Sequence, residues 1–359
     1  KDSSPSALMM RVLLVAACAF ALAQPGAAFA PPRTPLASNK HRAMRAAPAR
    51  VERPQMAVER FIVPVVAGAV GSVIGAALAK NVNSAREEYT MADQVARFAK
   101  HKATNNQRAL NIDKFYDGSQ LAGKRVLVTG ANKGLGLGLV KQLKSDGALV
   151  IAAVRKSSPE LEALGLEQII TGVDVTQDAS MPAMVSALGG KEVDVVINNA
   201  GYFWEEFESL DNLNFDEELK MIDICAVGPL RVSGALLKAG VLKEGAKIAM
   251  ITSQGGSVSW RDVQNPEGGD YGHHMSKAAA NMMAKLLSKE LAAKGIAVLI
   301  LHPGFNRTGM TAKYKEIWDV EGAVEVEVGS KRVLHEINIG SMETSGKFIN
   351  CEDGLQIPF

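Results

Sequence analysis

The stretch Arg125-Val126-Leu127-Val128-Thr129-Gly130-Ala131-Asn132-Lys133-Gly134-Leu135-Gly136 decides the fold. Its first five residues form an apolar run the length of one strand, and residues 134–145 carry helical spacing. The glycines between them permit a tight turn and close approach of the backbone to a ligand. The helix that follows would offer its free N–H groups and the positive end of its dipole to a pyrophosphate. Glycine is common in turns, so the weight comes from the setting of this loop between a strand and a helix.

Working outward toward the C-terminus, apolar stretches at Ala148 to Val154, Gln168 to Val173 and Val193 to Asn198 alternate with helical stretches. Such alternation specifies a parallel sheet with helices on both faces. The expectation is an α/β, doubly wound Rossmann domain, single, over residues 122–359. Its second strand ends Val154-Arg155-Lys156. An acid there would suit ribose hydroxyls, whereas positive charge suits a 2′-phosphate. With Lys133 in the loop, the reading is NADP(H) rather than NAD(H). The alternative for Arg155 and Lys156 is a solvated turn. Asp174-Val175 follows the third strand, where an Asp would also serve as an ordinary helix cap.

Working outward toward the N-terminus, the composition changes. Residues 1–60 hold nine Lys and Arg against three Asp and Glu, so the basic excess lies there and the remainder is acidic. This excludes a uniformly basic nucleic-acid-binding surface. A hydrophobic content of 47% excludes a disordered chain, and Cys18, Cys225 and Cys351 are too far apart for a metal-ligand spacing. Arg11 precedes an apolar run, followed by Ala28-Phe29-Ala30, so residues 9–30 read as a signal peptide. Residues 31–56 are rich in Arg, Ala and Pro with a single acid, as in a transit peptide. Together, 1–56 resemble the bipartite leader of secondary plastids, which implies a stromal or stroma-facing thylakoid location. The alternative is a secreted protein with a basic spacer. Phe61 to Ala79 is uncharged and long enough to cross a bilayer. It reads as a membrane anchor, an interfacial or buried helix, or a cleaved lumen-transfer signal, in that order. Residues 80–121 read as a connector.

Four motifs along 122–359 resemble the short-chain dehydrogenases/reductases. They are Thr129-Gly130-x-x-x-Gly134-x-Gly136, Asn198-Asn199-Ala200-Gly201, His302-Pro303-Gly304 with Thr308, and the C-terminal Ser345-Gly346-Lys347-Phe348 to Phe359. The last is similar to the subgroup of C-signal and sniffer-like carbonyl reductases. The resemblance implies cofactor contacts at Gly130, Asn132, Lys133, Gly134, Leu135, Gly136, Arg155, Asp174, Val175, Asn199, Ala200, Gly201, Lys277, Pro303, Gly304 and Thr308. It also implies hydride transfer to or from a carbon bearing oxygen. In that chemistry a Tyr serves as general acid, and a Lys four residues on lowers its pKa. A Ser holds the substrate oxygen, and an Asn fixes a water.

Ser253 and Lys277 match the Ser and Lys of this pattern, but two positions depart from it. Four residues before Lys277 stands His273, and Tyr271 lies about 200° around the helix from it. Unwinding near Gly272 would be needed to swing Tyr271 inward. In the stretch Cys225-Ala226-Val227-Gly228-Pro229-Leu230 a thiol stands where the family has Asn. By default it is a small apolar residue, and a redox-reactive Cys225 is the less favoured reading. The candidate catalytic set is therefore Ser253, His273 and Lys277. A neutral imidazole beside the Lys277 cation would hydrogen-bond a carbonyl oxygen or relay a proton; the plain alternative is a pair of solvated histidines at 273 and 274. Two functions compete. One is an NADP(H)-dependent reductase of an apolar carbonyl substrate, and the other a catalytically silent dinucleotide-binding subunit of a plastid membrane complex. Aromatics in Tyr202 to Leu213 suggest an apolar substrate or a partner surface. A homo-oligomer fits either reading, with membrane contacts through 61–79.

Overall fold

The computed structural model describes residues 89–359, all within one compact unit. The leader at 1–56 and the apolar run at 61–79 lie outside the described residues. Among the described residues no helix is long and apolar enough to cross a membrane.

Seven parallel strands form one sheet in the order β3-β2-β1-β4-β5-β6-β7. They are β1 Arg125–Thr129, β2 Leu149–Ala153, β3 Gln168–Ile170, β4 Val193–Asn198, β5 Leu242–Ile251, β6 Ala297–His302 and β7 Phe348–Asn350. The order reverses beside β1, so the carboxyl ends of β1 and β4 open a crevice at the topological switch point. The main helices are α1 Gln94–Ala103, α2 Gly134–Ser145, α3 Met181–Ala187, α4 Phe215–Ile222, α5 Gly228–Lys238, α6 Tyr271–Glu290, α7 Trp318–Glu321 and α8 Val326–Ile339. Two buried apolar clusters flank the sheet. Leu127, Ile151, Val196 and Ile248 belong to one, and Val126, Val128, Val195 and Ile197 to the other. The central strands bury both faces, which is why they read as continuous apolar runs rather than alternating ones. β2 and β3 are shorter than the apolar stretches that announced them, because Val154 and Val173 continue the pairing only through isolated loop hydrogen bonds.

The segment expected to be a mere connector packs into the domain. Asp93 caps α1 by accepting from the Ala96 N–H at 2.9 Å. From α1 the Arg97 guanidinium, 1% exposed, pairs with Glu352 at 3.2 Å. Tyr89 bridges to Gln356, and Thr90 Oγ1 donates to Asp353 at 2.5 Å. From Tyr89 onward the segment is therefore a strap along the C-terminal edge, joined to it by polar side chains that carry no apolar periodicity.

Candidate active site

The glycine loop is held in place by β4. Gly130 has φ +66°, and a Cβ there would lie 2.8 Å from Ala200 Cα. A Cβ on Gly136 would collide with the Gly130 carbonyl oxygen and sit 2.5 Å from Asn199 Nδ2. Only glycine satisfies both demands. Thr129 Oγ1 accepts from the N–H groups of Asn199 and Ala200 at 3.1 and 3.0 Å. The Asn199 amide donates to Thr129 O at 3.0 Å and Gly130 O at 3.2 Å. That side chain is committed to shaping the loop, so any contact of Asn199 with a ligand falls to its backbone. From the opposite side Thr308 approaches Gly134, whose Cβ would lie 3.9 Å from it. Three segments distant in sequence thus converge where α2 begins.

At the end of β2, Arg155 and Lys156 are exposed, as is Lys133 in the loop, and none has an ion-pair partner among the described residues. Ser158 Oγ donates to Asn132 O at 3.1 Å and ties this turn to the loop, a link that sequence spacing does not reveal. Asp174 Oδ1 accepts from the Thr176 N–H at 2.9 Å and from its hydroxyl at 2.8 Å. Burial opposes its ionisation, but these bonds and the charges of Arg155 and Arg231 hold the carboxyl below its usual range. One oxygen of Asp174 is thus committed to a local turn, which is the cap reading. Val175 is buried against Gly228. Gly304, at φ +80°, faces Glu352.

Helix α6 carries the other half of the site. It lies against the turn Ser253–Gly256 at the end of β5, where a Cβ on Gly255 would be 2.9 Å from His273 Nε2 and one on Gly256 would be 2.6 Å from the Lys277 carbonyl. These two glycines were not singled out in the sequence, although paired glycines after a strand signal close approach of another element. Ser253 Oγ accepts from the Gly255 N–H at 3.0 Å, leaving its own proton free to donate. Ser253, His273 and Lys277 are therefore brought to one turn.

The two histidines differ. His274 Nδ1 meets Gly255 O at 2.9 Å, and its ring also meets Arg261 and Asn265, so it is a structural fixture. His273 Nδ1 is buried with no partner among the described residues. Burial first, then the charge of Lys277, pushes His273 well below the usual histidine range, so its imidazole is neutral. Neither ring is a solvated surface group. Phe203 covers His273 with ring centroids 4.3 Å apart, and Lys313 Nζ sits 3.7 Å from the Phe203 centroid. The same ammonium donates to Trp204 O at 3.1 Å and Glu206 O at 3.4 Å, which latches the 202–208 loop over the imidazole. This latch joins two loops and leaves no periodic trace in the sequence.

Helix α6 begins at Tyr271 and remains helical through Gly272, where a Cβ would lie 3.0 Å from Glu218 Cα on α4. The unwinding needed to bring Tyr271 inward does not occur. Cys225 lies in a π-helical turn, Asp223–Val227, between α4 and α5. It is buried, and Sγ donates weakly to Tyr202 O at 3.5 Å. Such turns are common at functional sites, and the side chain buried in this one is a thiol. Among the described residues no cluster of His, Cys, Asp or Glu could hold a metal ion.

A family model, short chain dehydrogenase, matches residues 124–317. The chain is 35% identical over 225 residues to 1-hydroxy-2-glutathionyl-2-methyl-3-butene dehydrogenase of Rhodococcus sp., covering 62% of this chain and 94% of that protein. It is 34% identical over 171 residues to C-signal of Myxococcus xanthus, covering 46% and 93%. Among solved structures, NADPH-bound carbonyl reductase from chicken fatty liver matches with TM-score 0.59 and 28% identity over 67% of this chain and all of that one. Carbonyl reductase Sniffer of D. melanogaster shares the fold with TM-score 0.56 at 23% identity, over 66% of this chain and all of that one.

Proposed function

The chain belongs to the short-chain dehydrogenase/reductase family, and we propose that it is an NADP(H)-dependent reductase of a carbonyl substrate in which a neutral His273 replaces the usual phenol. The observation that carries this reading is the placement of His273 Nε2 over Gly255, on the turn that bears Ser253, four residues before Lys277. The cofactor half fits a phosphorylated dinucleotide. Glycines 130, 134 and 136 form a cradle at a helix N-terminus, and Lys133, Arg155 and Lys156 bring positive charge to its adenosine side. Gly130 to Gly136, Ala200, Gly201, Pro303, Gly304 and Thr308 would hold the cofactor, and when bound it would supply the hydride. Similarity to an NADPH-bound carbonyl reductase supports both assignments.

The chain's own residues then have defined tasks. Ser253 keeps its hydroxyl proton for the substrate oxygen, since its lone pair is engaged by Gly255 N–H. His273, neutral at physiological pH, acts as a hydrogen-bond donor to that oxygen rather than as a charged acid, and the alkoxide left by hydride transfer takes its proton from solvent water. Lys277 favours the neutral imidazole and helps to bind the nicotinamide ribose. Phe203, Phe207 and Tyr314 favour an apolar substrate, and the Lys313 latch shields the imidazole from water. The test is consumption of NADPH with a panel of apolar aldehydes and ketones. Turnover abolished in His273→Ala supports the role, and unchanged turnover in that variant overturns it.

One observation favours a second reading. Phe203 packs against His273 with the ring planes tilted by 33°, so the imidazole is covered, as a silent dinucleotide-binding subunit would tolerate. NADPH binding without turnover, together with copurification in a membrane complex, would select it. In that event His273→Tyr combined with Cys225→Asn should create activity absent from the native chain. A plastid location is part of either proposal, and fusion of residues 1–56 to a fluorescent reporter tests it.

A further inference from the structure

We propose that Arg97, on the N-terminal strap, is a positioning residue that locks the catalytic turn Ser253–Gly256 and the cofactor turn His302–Phe305 into one unit. The inference rests on the reading of those two turns given above. Arg97 lies outside the region matched by the family model, residues 124–317. Yet its guanidinium is almost wholly enclosed, touches the first turn directly and reaches the second through Glu352. Nη2 donates to Gln254 Oε1 at 2.8 Å, and Gln254 is the residue after Ser253. Nε donates to Glu352 Oε2 at 3.2 Å. Glu352 Oε1 accepts from the Phe305 N–H at 3.2 Å and packs against Gly304, where no Cβ would fit.

Gln94, one helical turn before Arg97, closes the circuit. Its Nε2 donates to Glu352 Oε1 at 3.2 Å and to Glu321 O at 3.0 Å, and its Oε1 accepts from Gln254 Nε2 at 3.2 Å and from Arg97. The remaining Arg97 donor meets Met91 O within the strap, and Gln264 Nε2 holds the strap at Ala92 O, 2.7 Å away. Phe98 covers Gly322 at the end of α7, beside the segment 309–317 that carries Lys313. A planar guanidinium presents several donors in a fixed fork, so one side chain can fix two loops at once. Lysine, with one nitrogen, can keep the ion pair or the amide contact but cannot span both with the same geometry.

That difference supplies the test, made on the full chain with Arg97→Lys, Arg97→Met and the double variant Arg97→Met/Glu352→Gln. Three readouts are taken: thermal unfolding, amide hydrogen exchange at residues 253–257 and 303–308, and NADPH affinity from cofactor fluorescence. Arg97→Lys should keep the melting temperature near that of the native chain while both turns exchange faster. Arg97→Met should weaken NADPH binding about three- to thirtyfold. The double variant, which leaves no carboxylate unpaired beside position 97, should regain part of the thermal stability without regaining protection of the turns or NADPH affinity. If Arg97→Met does not fold, the other two variants carry the comparison. The proposal is overturned if both turns keep native protection in Arg97→Lys and in the double variant, or if restored stability restores everything else. Failure of the native chain to bind NADPH would strike the proposed function alone, because the exchange measurement needs no cofactor.

Discussion

His273 shows how one side chain sets the chemistry of the groups around it. A phenol is poised as an acid by a nearby cation; an imidazole beside the same cation, and buried, is instead held neutral. Its contribution to catalysis would then be a fixed dipole, and the turnover proposed here should show no inflection attributable to His273 between pH 6 and 8. A pH profile of kcat checks this, and an inflection that vanishes in His273→Gln contradicts it. Arg155 admits a second prediction at this scale. Because it is exposed and unpaired among the described residues, Arg155→Glu should weaken NADPH about tenfold or more through reversed charge at the 2′-phosphate, with little change for NADH. Parallel titrations with the two cofactors measure the ratio. Both residues stand out in the sequence as candidates, since each is placed by its offset from a motif. Arg97 was not. A lone Arg among polar neighbours reads as surface until its partner Glu352, 255 residues away, is placed beside it.

Among elements, the glycine loop and its helix α2 were predicted with the bounds they have, because a short apolar strand, a glycine cluster and a helix each carry their own local signal. The strap and the Lys313 latch on the loop at 202–208 were not predicted, because tertiary partners alone define them. The loop also gives a test that separates backbone strain from collision. Gly136→Ala places a methyl against the Gly130 carbonyl and the Asn199 amide, and should cost about 2–3 kcal/mol and abolish dinucleotide binding. Gly123→Ala meets nothing within 4 Å but sits at φ +71°, so it should cost only about 1–2 kcal/mol and leave binding intact. Denaturant unfolding and cofactor titration of the two variants distinguish them. Equal losses in both would mean that the loop yields to the methyl and that its tight packing on β4 has no functional role.

Across the molecule, burial pushes the pKa of every described histidine down: His101, His273, His274, His302 and His335. His302, at the end of β6 with both ring nitrogens unpartnered among the described residues, is pushed to about 3 despite the neighbouring Glu352, with Arg97, Lys277 and Arg332 adding to the effect. A histidine whose folded pKa lies below its unfolded value stabilises the fold fully above about pH 6.5 and loses that contribution as pH falls toward the folded pKa. Glu352 adds a second phase. Although burial opposes its charge, Arg97, Arg332 and His302, with the Phe305 N–H, hold its carboxyl at about 2, so its stabilisation is present above about pH 4.5 and is lost below it. Glu218, Glu321 and Glu336 act in the opposite sense. A hydrogen bond with Glu208 raises the first and burial raises the other two, so acid relieves them and offsets part of the histidine loss. The large depression of His302 sets the sign in the window from 6.5 to 4.5. Unfolding free energy from denaturant titrations should therefore be level near neutrality, decline below pH 6.5 and steepen below 4.5. His302→Asn should flatten the first decline while leaving the second in place. A native chain whose stability does not change between pH 6.5 and 4.5 would show that these rings gain solvent or partners in the folded protein, and would remove the basis for treating His273 as neutral.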